Sequence, residues 1–135
     1  MHPKFKDAAA ITQDVIGAAI EVHTAMGPGL LESVYEWCLT KELELRGYDV
    51  ASQKNVPVRY KHFTREEVLR FDLLINDCLL VDVKATQSVV PIHKAQILSY
   101  MKLLDMPLGL VINFNTMRLV DGLSRLMLPG ADQGS

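Results

Sequence analysis

The chain has 135 residues, of which 49% are apolar and 22% charged, and its formal net charge is −2. This length suits one domain with a core of its own. The composition excludes a disordered or collagen-like chain, and the charge excludes nucleic-acid binding driven by a uniformly basic surface.

Residues 7–25 place Ile11, Val15, Ala18 and Val22 at i, i+4, i+7 and i+11, one face of a helix. Gly27-Pro28-Gly29 ends that helix, and Pro28 suits the first turn of a second one, with Leu31, Val34, Cys38 and Leu45 as its apolar stripe and Gly47 as its stop. In residues 49–61, Val56, Val58 and Tyr60 alternate with Pro57, Arg59 and Lys61, which predicts a strand; Pro57 marks it as an edge or a bulge. Residues 67–75 and 78–85 read as two further strands around an Asn76-Asp77 turn. Residues 91–105 return to helical period, with Ile92, Ala95, Leu98, Ile97, Met101 and Leu104 as its apolar set. Two closing strands are predicted at 108–114 and 117–121, and residues 129–135 are expected to be a disordered tail after a domain of residues 1–128. The order α-α-β-β-β-α-β-β implies an α/β fold, a mixed sheet flanked by helices.

No apolar run is long enough to span a membrane. Residues 1–7 lack the apolar stretch of a secretory signal. Cys38 and Cys78 do not form a CxxC pair, so reduced thiols in a cytoplasmic protein are expected.

The hairpin around Asn76-Asp77 carries the most chemistry. A period of two puts Leu80, Asp82 and Lys84 on one face of its second strand, so a carboxylate and an ammonium project from an otherwise apolar segment. If Ile75 pairs with Leu79, a three-residue loop sets Asp72 opposite Asp82; a two-residue turn would set it opposite Val81 on the other face. Two facing carboxylates repel unless a cation or a proton lies between them, and such oxygen ligands suit Mg²⁺ or Mn²⁺. The plainer reading is mutual neutralisation among Asp82, Lys84, Asp72 and Arg70.

Other candidates have similar alternatives. Glu32 and Tyr35 share a helix face, and Glu32 in a first turn is also explained by the helix dipole. His93, Gln96 and Tyr100 form a polar stripe that fits either a ligand contact or a solvated face. Lys54, Arg59, Lys61, Arg65 and Arg70, against Glu66 and Glu67, form the best local phosphate contact, or else a charged edge that blocks aggregation. No zinc-type His/Cys spacing, P-loop or nucleophile elbow is present in the sequence.

The segment Gly29-x-x-Glu32-x-x-Tyr35 resembles the signature of the GxxExxY proteins, a branch of the PD-(D/E)XK nuclease superfamily. The similarity continues through Phe71-Asp72-Leu73-Leu74, Val81-Asp82-Val83-Lys84-Ala85, residues 93–100 and residues 109–114. It implies a restriction-endonuclease-like core and a metal-dependent nuclease acting on DNA. Asp72, Asp82, Lys84 and Gln96 would then be catalytic, and Glu32, Asp72, Asp82 and the Val83 carbonyl would hold Mg²⁺ or Mn²⁺. Tyr35, His93 and Tyr100 would support the site. Phe71 stands in place of proline, and Asp82 stands where this branch more often has glutamate, one methylene longer. Two rivals are a weak or inactive nuclease-fold module that binds DNA or a protein, and a nuclease for RNA or branched DNA. A chain this small fits a homodimer gripping a duplex.

Overall fold

The computed structural model describes residues 1–134. Among these, three α-helices pack on a five-stranded mixed sheet. The elements in chain order are α1 (Phe5–Met26), α2 (Glu32–Leu45), β1 (Val50–Tyr60), β2 (Phe63–Ile75), β3 (Leu79–Lys84), α3 (Pro91–Leu104), β4 (Leu108–Asn113), a 3₁₀ turn (Leu119–Gly122) and β5 (Leu123–Met127). The spatial order equals the sequence order. The β3–β4 pair is parallel, and β1–β2, β2–β3 and β4–β5 are antiparallel. The α3 crossover is what makes a parallel pair possible.

Parallel strands lie between two helical layers, so they are apolar on both faces. Leu79–Lys84 and Leu108–Asn113 are buried along almost their whole length. Leu79, Val81, Val83, Leu110 and Ile112 face α1 and α2, whereas Leu80 and Val111 face Ile97, Met101 and Leu104 of α3. Gly109 permits that second contact, because a Cβ there would stand 2.8 Å from Met101 Sδ. The first helix ends as expected at Gly27, whose φ of 71° favours glycine. Its predicted stripe is inward: Val15, Ala18 and Val22 are buried.

Several expectations need correction. Pro28 lies in the loop before α2, which starts at Glu32 after an extended Leu31. The buried stripe of α2 is Tyr35, Leu39 and Leu43, while Leu31 and Leu45 are exposed. Apolar residues lie on more than one face of this helix, and packing against α1 and Phe114 selects among them. In α3, Ile92 is exposed, and Ile97, Met101 and Leu104 form the buried face. The strand expected at 117–121 is a 3₁₀ turn; a Cβ at Gly122 would stand 2.1 Å from the Asn113 carbonyl, so the chain turns tightly there, and the closing strand follows at β5. β2 starts at Phe63, earlier than the apolar alternation indicated, because residues 63–66 pair with β1 in register while remaining exposed. Within the segment expected to be a tail, residues 129–132 form a turn with Ala131 buried, and its carbonyl accepts from His2 N at 2.9 Å. Ser135 lies outside the described residues.

Candidate active site

The Asn76-Asp77-Cys78 loop joins β2 to β3 with Ile75 opposite Leu79, Leu74 opposite Leu80 and Leu73 opposite Val81. Asn76 and Asp77 both take positive φ, a conformation these residue types tolerate. This is the longer-loop register, and its next step sets Asp72 beside Asp82. On its other edge β2 is irregular. Between the Ala51–Leu74 and Gln53–Arg70 pairs, Ser52 of β1 faces Phe71, Asp72 and Leu73 of β2. A bulge of this kind bends a strand and redirects a side chain. Here it reverses which face the residues address: Leu69 and Phe71 pack toward α3, and so does Leu74, despite the odd–even change. The redirected Asp72 carboxylate accepts from the Val83 N–H at 2.7 Å through Oδ2.

Asp82 is 8% exposed, in the middle of the central strand. Its Oδ2 lies 3.1 Å from Lys84 Nζ, yet among the described residues no donor is aligned to form a hydrogen bond with that buried oxygen. Burial, reinforced by the neighbouring Asp72 carboxylate, pushes the Asp82 carboxyl up to about 7, outweighing the opposing pull of Lys84. For Lys84, burial disfavours the charged form, but the surrounding carboxylates of Asp82, Glu32 and Asp72 win, and its pKa rises. The plain ion pair anticipated between Asp82 and Lys84 therefore exists. It leaves the local charge uncompensated, with two carboxylates against one ammonium, and Arg70 donates instead to Gln53 at 3.2 Å.

α2 brings more acid to the same place. Glu32 is within electrostatic reach of Lys84. Glu36, one turn on, has its carboxyl pushed up by burial and by the charges of Asp72 and Glu32. Glu36 was missed in the sequence, although its i+4 relation to Glu32 was the available signal. Among the described residues, no group of three or more His, Cys, Asp or Glu side chains converges as a metal cage. A cleft of about 370 Å³ runs from Asp72 along Ser33, Glu36, Trp37 and Ser52. A more apolar cavity of about 290 Å³ lies between α1 and β5, away from these acids.

The remaining candidates are dispersed. Tyr35 is fully buried; its hydroxyl donates to the Gly27 carbonyl and accepts from Leu30 N at 3.0 Å, and its ring stacks on Phe114 with centroids 4.6 Å apart. It anchors the loop that leads into Glu32. On α3, Gln96 is exposed and donates to the Tyr100 hydroxyl at 3.4 Å, and His93 Nδ1 is buried without a hydrogen-bond partner among the described residues. No hydrogen bond joins these three residues to the acid pair among the described residues. In the basic hairpin, Lys54 pairs with Asp77 and Arg65 with Glu67. Asn113 was not singled out in the sequence, yet it clamps the strand that bears Lys84. Buried, it accepts from Thr86 N at 3.1 Å and donates to the Thr86 carbonyl at 3.0 Å, while Phe114 N donates to the Lys84 carbonyl at 2.9 Å. The signal for it is a lone amide in an apolar strand.

A family model described as the PD-(D/E)XK nuclease superfamily matches residues 9–126. The chain belongs to this superfamily. No curated protein and no solved structure matched it. PD-(D/E)XK proteins are typically nucleases, and the helices and mixed sheet are consistent with a PD-(D/E)XK core. Asp82-Val83-Lys84 fits the (D/E)XK letters, with Asp72 as the preceding acid behind Phe71. No helix among the described residues is long and apolar enough to cross a membrane.

Proposed function

We propose that this chain is a divalent-metal-dependent nuclease that hydrolyses phosphodiester bonds in DNA, with its centre at Asp72, Asp82 and Lys84. The observation that carries this reading is the buried Asp82 Oδ2, which has no aligned donor and sits beside a second carboxylate. Such a donor set favours a hard cation. Mg²⁺ or Mn²⁺ would be held by Asp72 and Asp82, with the Val83 carbonyl and Glu32 as further oxygen donors. When bound, the ion supplies positive charge against the phosphate oxygens and acidifies water.

The chain's own residues do the rest. The Val83 N–H fixes the Asp72 carboxylate, so that oxygen is preorganised. Lys84 orients the attacking water and stabilises the negative charge that builds on phosphorus. The water oxygen bonds to phosphorus, the P–O ester bond on the far side breaks, and the products are a phosphate monoester and a free hydroxyl. Gln96 steadies the site from α3, with His93 and Tyr100 in support, and Lys54, Arg59, Lys61, Arg65 and Arg70 contribute phosphate contacts. The Gly29-x-x-Glu32-x-x-Tyr35 signature supports membership of the GxxExxY branch, and the free Cys38 and Cys78 accord with a cytoplasmic setting. Two copies related by a twofold axis would grip both strands of a duplex.

A second reading is a binding module that keeps the scaffold without cleavage. It is favoured by the absence of a three-carboxylate cage among the described residues and by the short Asp82 side chain. The test is incubation of the purified chain with supercoiled, linear, single-stranded and branched DNA in Mn²⁺, Mg²⁺ or EDTA, beside Lys84→Ala. Metal-dependent cutting that vanishes in the variant supports the nuclease. A folded protein that binds DNA and cuts none of these substrates supports the module.

A further inference from the structure

β1 and β2 extend past the rest of the sheet as a two-stranded arm. Their pairing runs without interruption from Gln53–Arg70 to Tyr60–Phe63, whereas β3 accompanies β2 only as far as Leu73–Val81. Every residue from 59 to 66 is exposed. Within residues 59–65, Arg59, Lys61 and Arg65 are cations and no residue is acidic. Interleaved with them are Tyr60, 67% exposed, and Phe63, 61% exposed. Lys61 Nζ lies 5.3 Å from the Tyr60 ring centroid, and the His62 ring lies 4.0 Å from that of Phe63. Arg59 and Lys61 have no ionic partner among the described residues, and Arg65 is joined to Glu67.

Large rings left in water at the end of an arm cost solubility, and no element among the described residues covers them. The local charge narrows what does. A second copy of the same tip would set the unpaired Arg59 and Lys61 against the same two cations, so self-association there is opposed, and a polyanion is attracted. Within a continuous duplex both faces of each base are covered by neighbours. Exposed rings find a π-face only on bases that are unpaired or terminal, where stacking is tolerant of sequence. The tip also stands far from the acids. Phe63 and Asp72 are nine positions apart on β2, which is about 30 Å of extended strand.

We propose that the β1–β2 tip is a stacking wedge for unpaired nucleobases, held by Tyr60 and Phe63 with Arg59 and Lys61 on the adjoining phosphates. The substrate of the Asp72–Asp82 centre is then a nucleic acid with a single-stranded segment about 30 Å from the bond that is cut. This substrate class rests on the nuclease reading; the contact itself does not.

The test is fluorescence-anisotropy binding in EDTA to a single-stranded oligonucleotide, a forked duplex and a blunt hairpin-closed duplex. Wild type is compared with Tyr60→Ala/Phe63→Ala and with the ring-preserving Tyr60→Phe/Phe63→Tyr. The alanine pair is expected to weaken single-stranded and forked binding about tenfold or more, as loss of base stacking does. Binding to the closed duplex stays within about twofold, and the ring-preserving pair behaves as wild type. Unchanged binding of the alanine pair to the forked duplex overturns the proposal, as does an equal loss on all three probes. Cleavage by wild type in Mn²⁺ is scored separately. Ring-dependent binding without cutting sinks the nuclease reading and leaves the wedge standing, and cutting without ring-dependent binding does the reverse.

Discussion

The Asp72 carboxylate accepts a hydrogen bond from the Val83 N–H at 2.7 Å, so one acid of the centre is fixed by the backbone between the other acid and the lysine. Asp82, Val83 and Lys84 are consecutive on a strand whose side chains alternate, and a single bond ties the neighbouring strand to the middle one. Asp72→Asn keeps the shape but halves the acceptor capacity that this bond and a cation share. It is expected to lower cleavage at least about a hundredfold, as loss of a charged group at a reacting phosphate does. Circular dichroism should show an unchanged fold.

Asp82 is held at a cost in stability. A carboxylate that is buried, lies beside another and has no aligned donor for one oxygen destabilises the folded state. Asp82→Asn in EDTA at pH 8 should raise unfolding stability by about 0.5–2 kcal/mol, the usual gain when a strained functional group is removed. Urea denaturation measures it. A loss of stability would show that the negative charge is already compensated.

The same group gives the metal-free protein a pH dependence of definite sign. Its folded-state pKa of about 7 lies above the unfolded value of 3.8. Between these values the folded state keeps a proton that the unfolded state has released. Its stabilising contribution is therefore complete below pH 3.8 and is lost as pH rises through about 7. Asp14, held low by the Tyr48 hydroxyl and by Arg46, acts in the opposite sense at more acid pH. Midpoints of denaturation in EDTA should decline from pH 5 to pH 8 in wild type, and the decline should flatten in Asp82→Asn.

Arg46 ties α1 to the end of α2. Its guanidinium contacts Asp14 at 2.6 Å, Glu21 at 2.8 Å and Glu42 at 2.8 Å. Arg46→Ala leaves three carboxylates near each other without a cation. A loss of about 1–3 kcal/mol is expected, reduced by partial exposure to solvent and by added salt. Thermal denaturation at two salt concentrations reads both effects.

Tyr35 supplies a fourth case. Tyr35→Phe preserves the stack on Phe114 and removes the hydroxyl that bridges Gly27 and Leu30. A loss of about 0.5–1.5 kcal/mol follows from the hydrogen bonds to the part-buried Gly27 carbonyl and to the amide of the exposed Leu30. Because the loop leads into Glu32, hydrogen exchange at residues 27–32 should quicken.

What could be read in the sequence depended on period and on turn chemistry. Alternation along 79–84 put Asp82 and Lys84 on one face, but the loop length stayed open between two and three residues; the pairing of Ile75 with Leu79 is the longer of the two. The bulge at Ser52 was invisible, because it depends on how β1 and β2 meet and no glycine marks it. Glu36 and Asn113 escaped notice for a related reason. Each is ordinary in its own segment and matters only through residues distant in sequence, Asp72 for one and Thr86 for the other. The closing strand was misplaced because Leu119 is buried by a tight turn and the alternation around it imitates a strand. The face of α2 could not be settled from its own residues, since apolar side chains lie on several sides of it.

The central claim is that Asp72 and Asp82 together take a divalent cation, and thermal unfolding with and without Mn²⁺ tests it most directly. A ligand that binds only the folded state raises the midpoint in proportion to its occupancy. Wild type should shift upward with Mn²⁺, and Asp72→Asn and Asp82→Asn should each lose most of that shift. An equal Mn²⁺ shift in wild type and both variants, or none in wild type, would contradict the claim.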